Sequence, residues 1–194
     1  MFTTQNSLRH TLLIAMPQLQ DQNFANSVIY ICEHNQEGAM GLIINQPTNI
    51  PLYDMFQQAE NSPAKANLST EFLHTPLYFG GPVEIECGFI LHTFNEHQQQ
   101  KHAITVTSNI ALTSSLELLM TIAAGYGPEK YLVTMGYAGW GAGQLEQEMG
   151  SNAWLNCPAT PTLIFDTPRK QLLNQACKQI GVTYPLLSHE VGHA

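Results

Sequence analysis

Positive charge is scarce in this chain. Only seven of its 194 residues are Lys or Arg, against fifteen Asp and Glu, and the formal net charge is −8. Affinity for DNA relies on neutralising phosphates with clustered cations. Here Arg9, Lys65, Lys101, Lys130, Arg169, Lys170 and Lys178 are spread along the chain, and Arg169-Lys170 is the only adjacent pair. An acidic body without a basic stripe repels the duplex, so nucleic acid is not expected as a direct partner.

Long apolar runs are also missing. The run near the N-terminus, Leu12–Met16, has five residues. That is too short for a signal-peptide core or a bilayer span, so no membrane association is expected. Cysteine is sparse: Cys32, Cys87, Cys157 and Cys177, with no Cys-x-x-Cys pair to suggest a zinc ribbon or a redox motif. Cys32 and Cys177 fall in apolar periodic segments and read as buried thiols. Together these absences predict a reduced, soluble, cytoplasmic protein without metal or other cofactor. Its length suits one domain over residues 1–194, which buries well over half of the unfolded surface without a staple.

Glycine and tryptophan are concentrated in one place. Gly136–Glu148 reads Gly-Tyr-Ala-Gly-Trp-Gly-Ala-Gly-Gln-Leu-Glu-Gln-Glu. Glycines this dense mark a backbone with unusual dihedrals or close approaches, here a strand turning into a helix. A phosphate cradle is disfavoured: no Lys follows as in a P-loop, and Glu146 and Glu148 near the helix start would oppose an anion.

Elsewhere strands dominate. Leu12–Met16, Ser27–His34 and Ala39–Asn45 read as strands, the last two joined as a hairpin through Asn35–Gly38. Leu52–Glu60 reads as a short helix and Asn61–Ser69 as a loop. Leu77–Phe79, Cys87–Phe94, Ala103–Val106, Tyr131–Met135 and Thr162–Phe165 read as further strands, with a glutamine-rich tip over Asn95–His102. Ser114 and Glu117 make a capping box for a helix carrying Leu116, Leu119, Met120 and Ala123. Thr167 and Pro168 open a last helix that ends before Gly181. Helices without regular βαβ alternation predict an α+β fold.

Several motifs invite chemistry. His189-Glu190-Val191-Gly192-His193 fits the H-E-x-x-H zinc pattern, but it ends one residue before the C-terminus, so no third ligand follows it. Cys32 and His34 share a face if their strand is regular, yet no orienting third group is evident. Glu84 and Glu86 flank Ile85. Asn45 and Gln46, before Pro47, suit either polar readout of a ligand or closure of a turn.

Several blocks carry a family resemblance. They are Leu13–Pro17, Glu33-His34, Gly38–Asn45, Gly80-Gly81-Pro82-Val83, Gly88–His92, Gly136–Glu148 with Trp154, and the terminal Gly192-His193-Ala194. Through them the chain resembles the bacterial YqgE/AlgH family along nearly its whole length. The resemblance implies an α+β fold whose mixed sheet forms a closed or partly closed β-barrel with surrounding helices. It implies no agreed activity and carries no catalytic residue. Members are often labelled transcriptional regulators, by association with alginate control.

The expected function is therefore a binding or accessory protein for a protein or small-molecule partner. Its candidate surface comprises the Gly80-Gly81-Pro82 turn, the Gly139-Trp140-Gly141 loop, and Gln144, Glu146, Glu148, His34 and Asn45. The alternative is a small-substrate hydrolase with a pocket near the Trp140 loop, using Glu146 or Glu148 as base with His34 or His92 nearby.

Overall fold

The computed structural model describes residues 7–19, 21–57, 68–94 and 103–184. In chain order the strands are β1 (Thr11–Ala15), β2 (Val28–Asn35), β3 (Gly38–Ile43), β4 (Pro47–Pro51), β5 (Pro76–Phe79), β6 (Val83–Thr93), β7 (Ile104–Thr105), β8 (Ile110–Thr113), β9 (Tyr131–Gly141) and β10 (Trp154–Pro158). The α-helices are α1 (Leu52–Gln57), α2 (Thr70–Leu73), α3 (Leu116–Ala123), α4 (Gln144–Gly150) and α5 (Arg169–Gln179), and a π-helical turn spans Thr162–Asp166.

One antiparallel path, β10-β1-β2-β3-β9-β6-β8-β7, curls into an open half-barrel. β5 joins β9 in parallel, so the sheet is mixed, and β4 pairs with β5. The α+β expectation stands, and the barrel is the partly closed form. It does not close: among the described residues the last strand of the path, β7, has two residues and no ladder to β10.

Strict alternation builds the core. In β1, Leu12 and Ile14 join one apolar cluster while Leu13 and Ala15 join another. The first cluster includes Tyr30, Cys32, Leu42 and Leu91 and is covered by Leu172, Ala176 and Cys177 of α5. The second, on the opposite face, includes Ile29, Ile31, Ala138 and Trp140 and is covered by Leu145 of α4. A third cluster seats Leu52, Phe56, Phe72 and Ile122 of α1, α2 and α3 on Leu77, Ile90 and Val133. Burial on both faces explains why β1 and β2 read as continuous apolar runs.

Three local expectations are corrected. The α3 cap is Ser115, whose hydroxyl accepts from Leu118 N–H at 3.2 Å. It takes this role from Ser114 because it is the residue with extended backbone next to the first helical turn. Thr162–Phe165 is part of the π-helical turn, not a strand. Thr167 does not cap α5: its hydroxyl donates to Thr162 O at 3.0 Å and closes that turn, leaving Pro168 at the cap position. The leading part of the Leu52–Glu60 helix forms as α1. Residues 58–67, the tip over 95–102 and the His189–His193 pattern lie outside the described residues.

The chain passes from β5 to β6 by crossing over β9. Gly80 sits between strands, accepting from Ile43 N–H and donating to Met135 O, both at 2.8 Å. A Cβ on Gly80 would overlap Gly136 O, one on Gly81 would overlap the Tyr137 carbonyl, and one on Gly136 would overlap Gly81 O. Glycine at all three positions lets one backbone lie directly on another. β6 then pairs with the other side of β9, from Val83↔Tyr137 onward.

His92 of β6 is fully buried. Its Nδ1–H donates to Thr93 O at 3.0 Å, and Nε2 has no partner among the described residues. Burial holds its pKa below the ordinary 6.5, opposed only by that hydrogen bond. The unfolded chain therefore binds a proton, as pH falls below 6.5, that the folded chain resists. Stability is complete above that value and is lost as pH drops through the window beneath it. Urea midpoints at neutral pH and at about pH 5 should differ less in His92→Leu than in the parent. An unchanged difference would remove His92 from the acid response.

Candidate functional site

The Gly136–Glu148 block is first of all a piece of internal architecture. β9 carries Trp140 onto the α4-covered face, where it is buried at 6% exposure. Trp154 of β10 meets it edge-on, with ring centroids 5.9 Å apart, and Phe24 packs against Trp154 at 5.6 Å. Both indole N–H groups donate to the same oxygen, Glu148 Oε2, at 2.9 Å from Trp140 and 2.8 Å from Trp154. Gln144, one helical turn before Glu148, donates to Glu148 Oε1 at 2.9 Å and accepts the Gly141 N–H at 3.0 Å. The spacing Gly-x-x-Gln-x-x-x-Glu is thus a clasp that ties α4 to the ends of two strands. It corrects the expectation of an available aromatic: the Trp140 ring belongs to the core, because its one polar atom finds an acceptor inside.

His34 and Glu146 form a second tie. The β2–β3 register slips between Ile31↔Gly41 and Glu33↔Met40, so two residues of β2 oppose one of β3. This β-bulge breaks the alternation. Cys32 stays in the first core cluster while His34 turns to the α4 face, and the two do not share a face. Burial pushes the Cys32 thiol well above its ordinary range. His34 Nδ1 accepts from Leu8 N–H at 2.8 Å, so the ring proton sits on Nε2, which donates to Glu146 Oε1 at 3.0 Å. Its lone pair is taken by a backbone amide, and it has none left for a general base. His92, the other histidine considered, is sealed inside the fold. In this geometry both histidines are held by the fold, His34 between Leu8 and Glu146 and His92 by burial.

Asn45 is also used internally. Its Oδ1 accepts from Val28 N–H and its Nδ2 donates to Asn26 O, both at 2.8 Å. It closes a turn at the end of β3 remote from Gly38 and Trp140. Gly80 and Gly81 are buried in the crossing, and Pro82 is exposed beside it. The structure thus brings His34, Trp140, Gln144, Glu146 and Glu148 together on one face. It leaves Asn45 at the other end and exposes the backbone of Gly139 and Gly141 at the strand's rim.

On the opposite face of the same β9 residues lies a cleft of about 570 Å³. Met40, Val83, Phe89, Ile104 and Tyr137 line it, and Phe89 and Tyr137 meet edge-on at 5.7 Å. Glu33, Glu37 and Glu84 stand in its wall with Asn35, and among the described residues no Lys or Arg lines it. The β2 bulge is what places Glu33 here, opposite Met40. Glu84, at φ 47°, is held in a second bulge where β6 leaves the ladder between Val83 and Gly88. Among the sequence candidates, Gly139 and Trp140 border this cleft. Its carboxylates and aromatics lie far apart in the chain, so no local motif announces them. The available local signals are the pair of glutamates flanking the β2–β3 turn and Glu84 of the Glu84-Ile85-Glu86 pair.

A larger cleft, about 750 Å³, lies between α2, the π-helical turn and the start of α5. Its cations are already engaged. Lys130 Nζ meets Asp166 Oδ2 at 2.8 Å. Arg169 lies over the Tyr78 ring at 5.7 Å, donates from Nη2 to Phe165 O at 3.1 Å, and has its Nη1 shut off from solvent. Among the described residues no set of three His, Cys, Asp or Glu is placed to hold a metal, and no helix is long and apolar enough to cross a membrane.

Known proteins match this chain over almost its full length. A family model described as AlgH-like matches residues 12–185. A UPF0301 protein of Burkholderia vietnamiensis is 42% identical over 188 residues, covering 97% of this chain and 96% of the relative. One of Paraburkholderia xenovorans is 41% identical over 193 residues, covering 99% and 98%. The solution structure of the AlgH protein from Pseudomonas aeruginosa superposes with a TM-score of 0.79 at 41% identity, covering both chains completely. A crystal structure from Corynebacterium diphtheriae shares the fold, with a TM-score of 0.71 at 17% identity over 98% of this chain and 95% of that one.

Proposed function

The chain belongs to the AlgH-like family, and from that premise we propose that it is a cytoplasmic binding or accessory protein. Its site is the acid-rimmed cleft beside the Trp140 loop, and its ligand is a cationic, partly apolar group of a partner. One observation carries this reading: among the described residues, three carboxylates and no cation surround an aromatic and aliphatic floor. An amine or guanidinium on a hydrocarbon stem satisfies both parts at once, burying the stem and leaving the charge at the rim. An aromatic floor adds attraction for the same charge. An anion such as DNA phosphate is repelled by the cleft as by the whole acidic body.

Titration with phenethylammonium chloride tests the proposal, with neutral phenethyl alcohol as control. The parent is expected to bind the cation, more weakly as salt rises. The triple variant Glu33→Gln, Glu37→Gln, Glu84→Gln is expected to bind about tenfold more weakly, since three lost charge pairs at roughly half a kcal/mol each sum to about 1.5 kcal/mol. Equal affinity for alcohol and ammonium, or no effect of the triple variant, would remove the charge argument.

A further inference from the structure

β9 runs past its neighbour. On one side it pairs with β5 and then with β3, through Gly41↔Ala138 to Gly38↔Gly141. On the other side the β6 ladder stops at Val83↔Tyr137. Beyond Tyr137 that side of β9 has no strand partner among the described residues.

The direction of the backbone groups follows from their contacts. Trp140 C=O is turned toward β3, where it bars a side chain at Gly38. Gly141 N–H, across the same peptide plane, points the other way and is taken by Gln144 Oε1 at 3.0 Å. Alternation along a strand then turns both N–H and C=O of Gly139 away from β3, to the side β6 has vacated. Gly139 is exposed and borders the acid-rimmed cleft. A glycine inside a strand often marks a place where another backbone comes close.

We infer that the free edge of β9 at Gly139 is a strand-addition site for an extended segment of a partner protein, whose inward-facing arginine or lysine enters the cleft. A residue opposite Gly139 exchanges two backbone hydrogen bonds with it, and its side chain is directed over Val83 and Tyr137 toward Glu84 and Glu33. Main-chain pairing supplies affinity and the acidic cleft selects the side chain, the division of labour seen wherever a peptide extends a sheet. The inference rests on the cleft reading above and adds the form of its ligand. Charge complementarity favours a basic segment over a second copy of this acidic chain.

Two blocked peptides test it, Val-Thr-Arg-Thr-Val and the same sequence N-methylated at the arginine amide, alongside phenethylammonium, with amide chemical shifts recorded throughout. The unmodified peptide is expected to bind, to move the Gly139 amide proton downfield and to slow its exchange with solvent. Methylation removes one of the two backbone bonds and blocks the edge. It is expected to weaken binding about tenfold, as loss of a bond worth about 1 kcal/mol together with a steric clash implies. If both peptides bind alike, or if only phenethylammonium binds, the strand-addition site is refuted and the cationic cleft stands. If no probe perturbs the cleft, the cleft reading fails and the strand site with it.

Discussion

Glu148→Ala is expected to destabilise the fold by about 3 kcal/mol, a fall in Tm of roughly 6–12 °C for a chain of this size. The variant takes away the acceptor shared by two indole N–H groups, those of Trp140 and Trp154, which are 6% and 3% exposed. A buried donor left without a partner costs its full desolvation, about 1–3 kcal/mol for each. Gln144 also loses the carboxylate that fixes it against Gly141. Glu148→Gln keeps a carbonyl oxygen for the indoles and should recover about half of the loss. Tryptophan emission offers a second readout, shifting to the red in Glu148→Ala as water reaches the rings. A variant within about 0.5 kcal/mol of the parent would show that the clasp contributes little.

Gly81→Ala should do more damage. The added methyl would overlap the Tyr137 carbonyl carbon and oxygen and the Ala138 nitrogen, all backbone atoms that no rotamer change can move aside. Gly81 also has φ 150°, a conformation that alanine rarely adopts. The strands must separate at the crossing, and a loss above about 4 kcal/mol is expected, a large part of the roughly 5–15 kcal/mol that holds a domain folded. Gly143→Ala is the matched control. Gly143 has φ 73° but nothing within 4 Å of a built Cβ, so it should lose only about 1–2 kcal/mol from the left-handed backbone. Thermal melts of the two variants side by side check the difference. Comparable losses would mean that the crossing is looser than its contacts indicate.

The sequence was legible where one residue type answers to one local cause. Short apolar runs and β-branched and aromatic content located β1, β2 and β3, and the glycine-dense block was recognisable as a strand entering a helix. Errors came where a hydroxyl had a competing partner one residue away, as with Ser114 and Ser115, or a tertiary turn to close, as with Thr167. The site was harder to read for a different reason. A glycine-rich segment beside an indole suggests an offered surface, yet whether the indole is offered depends on Glu148 and Trp154. The β2 bulge shows the same limit. One extra residue exchanges the faces of Glu33 and His34, sending the glutamate to the cleft and the histidine to α4. Nothing in Cys32-Glu33-His34 signals that exchange. The side of the block facing away from the tryptophans proved to be the concave one, and its carboxylates come from β2, the following turn and β6.

Amide chemical-shift mapping with phenethylammonium tests the central claim most directly, that recognition belongs to this acid-rimmed cleft and the tryptophan face is structural. The account predicts perturbations concentrated at Gly38, Met40, Glu84, Tyr137 and Gly139, lost in the triple glutamine variant. Perturbations concentrated instead at Thr75, Lys130 and Arg169, in the larger cleft by α5, would contradict it.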